Sequence, residues 1–209
     1  MQQKLKLALM LSILTVIYNL AEGLISVYFG VSDEALALFG FGTDSFVEVI
    51  SGIGIWHMVL RMQKSPVDQF DAFEVKALRI TGFSFYVLTA GLIIGAAISV
   101  ITNKVPETTM PGIIVSSISI LTMYFLMQQK LKVGKALNSE AIIADANCTK
   151  TCFYLSIILL ISSGLYYFTG FIYADLLGSL GIAWFAFSEG KEAFEKAKTK
   201  KTACACCAH

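Results

Sequence analysis

Six long runs of apolar residues follow one another along the chain, and short polar segments separate them. The runs cover roughly residues 7–29, 35–60, 77–101, 111–128, 141–166 and 171–189. A helix needs about 20 such residues to cross a bilayer, and none of the runs shows the alternating pattern of a membrane β-strand. The pattern therefore predicts an all-α membrane protein with six transmembrane helices.

Basic residues are concentrated at both ends of the chain and in every second connection. Lys4 and Lys6 precede the first run, and a basic segment from Lys191 to Lys201 follows the last. The second and fourth connections and their flanks hold Arg61, Lys64, Lys76, Arg79, Lys130, Lys132 and Lys135. Because Lys and Arg are enriched on the cytoplasmic side, we expect both termini in the cytoplasm and a multi-pass protein of the plasma (inner) membrane.

The chain is expected to divide into one membrane domain and a short tail. Residues 1–190 are predicted to form a six-helix transmembrane transport domain, and residues 191–209 a basic, Cys-rich cytoplasmic tail that is too short to fold alone. The tail ends with three thiols and an imidazole, on Cys204, Cys206, Cys207 and His209. These are ligand types for zinc, cadmium or copper(I). Metal capture by the tail is therefore predicted, and an unstructured end with accidental Cys enrichment is the alternative.

Two pairs of metal-ligand residues lie inside apolar runs. Asp44 and Glu48 are four residues apart in the second run, and Cys148 and Cys152 are four apart in the fifth. On a helix, a four-residue step keeps two side chains on one face, about 6 Å apart along the axis. Ionisable groups are costly in hydrocarbon and face a partner, a cavity or a pathway. Two carboxylates facing two thiols predict a transport site for a metal ion.

Each of these pairs also has a plainer interpretation. The carboxylates could be held by a basic residue of another helix, for which Lys150 is the main candidate. A buried Cys is often only a small apolar residue. His57, near Arg61 at the end of the second run, allows either a second metal site or an interfacial His without a ligand role.

Polar residues also form a stripe along the first run. Ser12, Thr15, Asn19, Glu22 and Ser26 recur at steps of three and four, which places them on one helix face. The stripe predicts either the wall of an aqueous pathway or hydrogen bonds between helices. We assign Asn19 and Glu22 to a proton or ion pathway, together with Asp145, which shares the face of the two Cys residues.

Two segments resemble helices of one transporter family. Residues 34–48, EALALFGFGTDSFVE, resemble the second helix of the cation diffusion facilitator family, and residues 144–152, ADANCTKTC, resemble its fifth. Each of those helices usually carries a His or Asp and then an Asp four residues later. Ala174 and Asp175, with the Leu-Leu-Gly-Ser-Leu-Gly that follows, are similar to the start of the sixth helix of that family.

The resemblance implies six helices, cytoplasmic termini and export of a metal ion from the cytosol in exchange for protons. It places Asp44, Glu48, Cys148 and Cys152 at the four ligand positions. Position 48 departs from the pattern with Glu for Asp, and both expected ligands of the fifth helix are Cys. The family's cytoplasmic carboxy-terminal domain is missing, so a short form is expected. That domain commonly contributes to dimerisation, and the resemblance leaves a homodimer open.

The sequence is therefore interpreted as an exporter of a divalent or soft transition-metal ion, not as an enzyme. Thiolates favour zinc, cadmium or a similar ion over manganese, and this ion is cargo rather than a prosthetic group. Protons and the lipid bilayer are the other expected partners, and no nucleic-acid patch is present. One alternative is a membrane thiol-redox protein, although that chemistry usually needs two Cys separated by only two residues. The other is a non-transporting metal-binding or sensor protein.

Overall fold

The computed structural model describes residues 2–62, 71–102 and 109–199, which form a bundle of α-helices. In chain order these are α1 (Gln2–Ser32), α2 (Leu36–Met62), α3 (Ala72–Thr102), α4 (Met110–Leu137), α5 (Glu140–Thr169) and α6 (Ala174–Thr199). Each predicted run corresponds to one helix, so the predicted all-α class is confirmed. The fourth and sixth helices continue well past their apolar runs, to Leu137 and Thr199.

Polar side chains are buried inside this bundle while large apolar side chains face outward, which is the reverse of a water-soluble protein. On α1, Asn19 and Ser26 expose 1% and 0% of their surface, whereas Ile17 and Leu24 expose 60% and 59%. Helices α1 to α5 are each long and apolar enough to cross a membrane. Helix α6 is the most polar of the six. The stripe predicted on the first helix therefore faces the interior of the bundle.

Helix α2 packs against four of the other helices, namely α1, α3, α5 and α6. The most extensive contacts pair α1 with α2, α4 with α5 and α3 with α6. This packing brings the two helices that carry the predicted ligands, α2 and α5, into direct contact.

Helices α1 and α2 approach closely because glycines lie between them. A Cβ atom added to Gly42 would come within 2.7 Å of the backbone nitrogen of Val27, and one added to Gly23 would lie 3.1 Å from the carbonyl oxygen of Gly42. Small residues allow such backbone contact between membrane helices. The close approach places Asn19 and Glu22 of α1 against the carboxylate-bearing face of α2.

The first turn of α2 is capped by a residue of α6. The Asp175 carboxylate accepts hydrogen bonds from the backbone N–H groups of Leu36 at 2.9 Å and Ala37 at 3.1 Å. The first N–H groups of a helix have no partner within the helix, and a carboxylate there is also favoured by the helix dipole. One side chain thus joins the start of α6 to the start of α2.

We expect Gly42→Ala to destabilise the bundle, because the new methyl group would meet the backbone of α1. Gly91→Ala is the matched control: it lies within α3, and a Cβ there meets nothing within 4 Å. The control should be neutral or stabilising by up to about 1 kcal/mol, the gain from replacing a helical glycine. Unfolding in mixed detergent micelles measures both. Equal stability of the two variants would contradict the close packing described for α1 and α2.

Candidate metal site

Three helices meet at the carboxylate of Glu48. The thiol of Cys152, on α5, lies within hydrogen-bonding distance of Glu48 Oε2 and donates to it. Asn19 Nδ2, on α1, donates to the same oxygen at 3.0 Å. Cys152 and Asn19 are both buried. The structure therefore brings together one predicted ligand from each pair.

Asp44 lies one helical turn before Glu48 and is 3% exposed. Its Oδ1 atom is buried without a hydrogen-bond partner among the described residues, and so is Oδ1 of Asn19. A buried polar oxygen without a donor is costly, and a bound cation would satisfy it. Two carboxylates, an amide oxygen and a thiol thus offer ligand atoms at the contact of α1, α2 and α5.

Cys148 lines a different space. It is half-buried, and it borders a cavity of about 40 Å³ together with Glu48, Asp145 and Glu189. Both Cys148 and Cys152 are free thiols. The ligand atoms of the four predicted residues, Asp44, Glu48, Cys148 and Cys152, do not all lie within 4.8 Å of one another. Among the described residues, only the group of His57, Asp71 and Glu74 has its ligand atoms that close together. The four residues would have to draw closer to hold one ion together.

The group of His57, Asp71 and Glu74 lies where α2 ends and α3 begins. Glu74, which is 1% exposed, accepts hydrogen bonds from Arg61 Nε at 2.9 Å and Arg61 Nη2 at 2.7 Å. It also accepts from the backbone of Asp71 at 2.9 Å, and Asp71 Oδ1 accepts from the backbone of Glu74 in return. His57 Nδ1 is 3.2 Å from Glu74 Oε1. Because arginine already occupies both oxygens of Glu74, this group is better explained as an ion-pair network that joins two helix ends.

Glu22 is held by hydroxyl groups at the contact of α1 and α2. Tyr18 donates to Glu22 Oε1 at 2.9 Å, and Ser45 donates to Oε2 at 3.1 Å. Glu22 is 6% exposed. Its carboxylate lies one turn beyond Asn19 on the same helix face, so the two residues assigned to a pathway are neighbours in the interior.

Asp145 forms an ion pair that the sequence analysis did not foresee. Lys130 Nζ lies 2.9 Å from Asp145 Oδ2 and donates to Thr149 Oγ1 at 2.9 Å. From the sequence, Lys130 was expected in the connection after the fourth span. It is instead 1% exposed inside α4, because that helix continues to Leu137. Asp145 lines the same cavity as Cys148, but its charge is already neutralised by Lys130.

Lys150 does not supply the cation that the plainer interpretation required. It is exposed, and its Nζ lies 5.6 Å from the centre of the Tyr154 ring. The residues of the tail site, Cys204, Cys206, Cys207 and His209, lie outside the described residues.

Glu189 is a site residue that the sequence analysis missed. It lies on α6, accepts a hydrogen bond from Thr151 Oγ1 at 3.0 Å and lines the cavity beside Cys148. It is the last residue of the sixth apolar run, so the sequence was interpreted as placing it only at the end of a transmembrane helix. A carboxylate still within an apolar run was the signal available in the sequence.

Comparisons with known proteins agree with this architecture. A family model described as the cation efflux transmembrane domain matches residues 9–198. The manganese efflux system protein MneP of Bacillus subtilis (strain 168) is 25% identical over 193 residues, or 87% of this chain and 64% of that protein. An uncharacterized transporter of Methanocaldococcus jannaschii is 27% identical over 177 residues, or 82% of this chain and 62% of that protein. The chain thus spans less than two thirds of the length of these relatives.

We expect Lys130→Met to cost about 3–5 kcal/mol of unfolding free energy, because it leaves the buried Asp145 carboxylate without its cation. Asp145→Asn should also destabilise, since it leaves the ammonium group unpaired. The double variant should lose clearly less than the sum of the two single losses. Unfolding in mixed micelles measures the cycle, and strictly additive losses would contradict a direct ion pair.

Proposed function

Because this chain belongs to the cation efflux family, we propose that it exports a divalent or soft transition-metal ion from the cytosol in exchange for protons. The family consists of multi-pass membrane transporters, not enzymes. The observation that carries the proposal is the contact between Glu48 and Cys152, beside the unpartnered oxygen of Asp44. In this proposal Asp44, Glu48, Cys148 and Cys152 bind the ion as it crosses the bundle.

Charge balance supports proton exchange. Two carboxylates and two thiolates would carry four negative charges, which exceeds what one divalent cation neutralises. Cys152 donates a hydrogen bond to Glu48, an arrangement that keeps a proton on sulfur until a metal ion binds. A metal ion binds thiolate rather than thiol, so it must displace that proton. Metal entering and protons leaving the same residues is then a consequence of the ligand set.

The placement of the basic residues supports export as the direction of transport. With Lys and Arg on the cytoplasmic side, the end of the bundle where α1 begins and α6 ends faces the cytosol. The cavity beside Cys148 lies toward that end, since it is lined from the first part of α5 and the last part of α6. An ion entering the cavity would therefore come from the cytosol.

Zinc or cadmium is the cargo that the two thiols favour, because soft sulfur ligands select such ions over manganese. Manganese is the second candidate, since the relative from Bacillus subtilis is named a manganese efflux system protein. The oxygen atoms of Asn19, Asp44 and Glu48 would suit that ion. The balance between oxygen and sulfur ligands is what separates the two candidates.

We expect Asp44→Ala and Cys152→Ser each to lower metal flux into proteoliposomes by about 10–100-fold, a loss typical of disturbed metal sites. Glu195→Gln is the control, because Glu195 is exposed on α6. Flux should be measured with zinc, cadmium and manganese, with and without a pH gradient. Flux of all three ions that persists unchanged in both variants would overturn the proposal.

Replacing both Cys148 and Cys152 by Asp should raise the ratio of manganese flux to cadmium flux. Carboxylate oxygen prefers manganese, whereas thiolate prefers cadmium. The matched control replaces both residues by Ser, which removes the thiolates without adding charge and should lower cadmium flux without a gain for manganese. An unchanged flux ratio in the Asp variant would show that these thiols do not set selectivity.

A further inference from the structure

The cavity beside Cys148 has room for a cation and is lined by side chains that could bind one. It measures about 40 Å³, and about 10–15 Å³ of such space holds one water. The cavity therefore has room for an ion with one or two waters. Side chains from α1, α2, α3, α5 and α6 line it. Its oxygen and sulfur groups include Glu48, Cys148 and Glu189, and these are ligand types for divalent transition metals.

Thr81 of α3 is independent evidence for a ligand in this cavity. It is 2% exposed and lines the cavity, and its hydroxyl oxygen has no hydrogen-bond partner among the described residues. Thr149 also lines the cavity, but its hydroxyl already accepts a hydrogen bond from Lys130. A buried hydroxyl without a partner is costly, and an ion or its bound water would complete its hydrogen bonding.

The charges around the cavity leave a net negative space. Asp145 is neutralised by Lys130 at 2.9 Å, and Lys196 is paired with Glu192 at 2.8 Å. The other two carboxylates that line the cavity, Glu48 and Glu189, form no ion pair with a described residue. They lie on different helices, α2 and α6, with Cys148 of α5 bordering the same space.

Glu48 belongs both to this cavity and to the contact with Cys152. The cavity includes neither Asp44 nor Cys152 among its lining residues, and Asn19 is also absent from them. The Glu48 carboxylate thus lies between two groups of possible ligands. Cys148 and Glu189 form one group, and Asp44 and Cys152 form the other. An ion held at the first group needs only to exchange ligands around Glu48 to reach the second.

We propose that Glu189, Cys148, Glu48 and the Thr81 hydroxyl form a staging site that holds a partly hydrated divalent metal ion before it reaches Asp44 and Cys152. This inference rests on the proposed function, and it assigns to that function a second position for the cargo. Glu189 and Thr81 act at the staging site alone, whereas Glu48 and Cys148 also belong to the four residues proposed to bind the ion during transport. The two sites are therefore separable by experiment.

The test uses the full chain in detergent with cadmium ions as the probe. The chain has five Cys residues, and replacing Cys204, Cys206 and Cys207 by Ser leaves only Cys148 and Cys152. Adding Cys152→Ser leaves Cys148 as the one thiol that reports binding by thiolate-to-cadmium charge-transfer absorption. Adding Cys148→Ser instead leaves Cys152 as the one reporter.

With Cys148 as the reporter, Glu189→Gln should weaken cadmium binding by about tenfold or more, as for other disturbed metal sites. With Cys152 as the reporter, the same change should leave the affinity nearly unaltered. Glu195→Gln, the exposed control on α6, should change neither. Thr81→Val should weaken binding only at Cys148. Because it removes a buried hydroxyl that has no partner, Thr81→Val is not expected to unfold the protein.

Two results would overturn the staging site while leaving the proposed function intact. In one, Glu189→Gln and Thr81→Val leave binding at Cys148 unchanged. In the other, they weaken binding equally at both reporters, which indicates a single site. If neither thiol reports cadmium binding before Glu189 is altered, the assignment of these thiols as metal ligands fails, and the staging site fails with it.

Discussion

The interior of this bundle is organised around one polar contact, between the thiol of Cys152 and the carboxylate of Glu48. Cys152 is buried, and a buried polar group needs a partner within the protein, so the two helices that carry these groups must stay in register for the contact to form. Asn19 donates to the same oxygen and adds α1 to the arrangement. One acidic side chain thus joins α1, α2 and α5.

The other buried acids are satisfied in different ways, and the differences separate structural from functional groups. Glu74 is held by Arg61 and Asp145 by Lys130, while Glu22 accepts hydrogen bonds from hydroxyls. Asp44 keeps an oxygen atom without a donor, and Glu189 has one threonine hydroxyl. Asp44 on α2 and Glu189 on α6 are therefore the acids best placed to stabilise a mobile positive ion.

Local pattern was enough to predict the helices and much of the candidate site. Steps of three and four place Asn19 and Glu22 on one face of α1. A four-residue step places Asp44 and Glu48 on one face of α2. These inferences need only helix geometry and the cost of polar groups in lipid. These polar side chains were expected to face the interior because lipid offers them no hydrogen-bond partner.

Features that depend on where a helix ends, or on which helix lies opposite, were not predictable in this way. Lys130 and Glu189 stand at the ends of apolar runs, where a charge usually marks the interface with water. Both become interior residues because α4 and α6 continue beyond their runs. Cys148 and Cys152 share one face of α5, yet Cys152 donates to Glu48 whereas Cys148 borders the cavity. Tertiary packing decides this difference.

The cap that Asp175 provides has a mechanical consequence for any motion of the bundle. Two amide groups at the start of α2 depend on a carboxylate that belongs to α6, and pulling those ends apart would leave both amides without this partner, at a cost for the buried one. The two helices are therefore hinged together at this point. Tilting α2 about this shared point would also move α6, and the displacement would grow along α6 past Glu189 toward its end at Thr199.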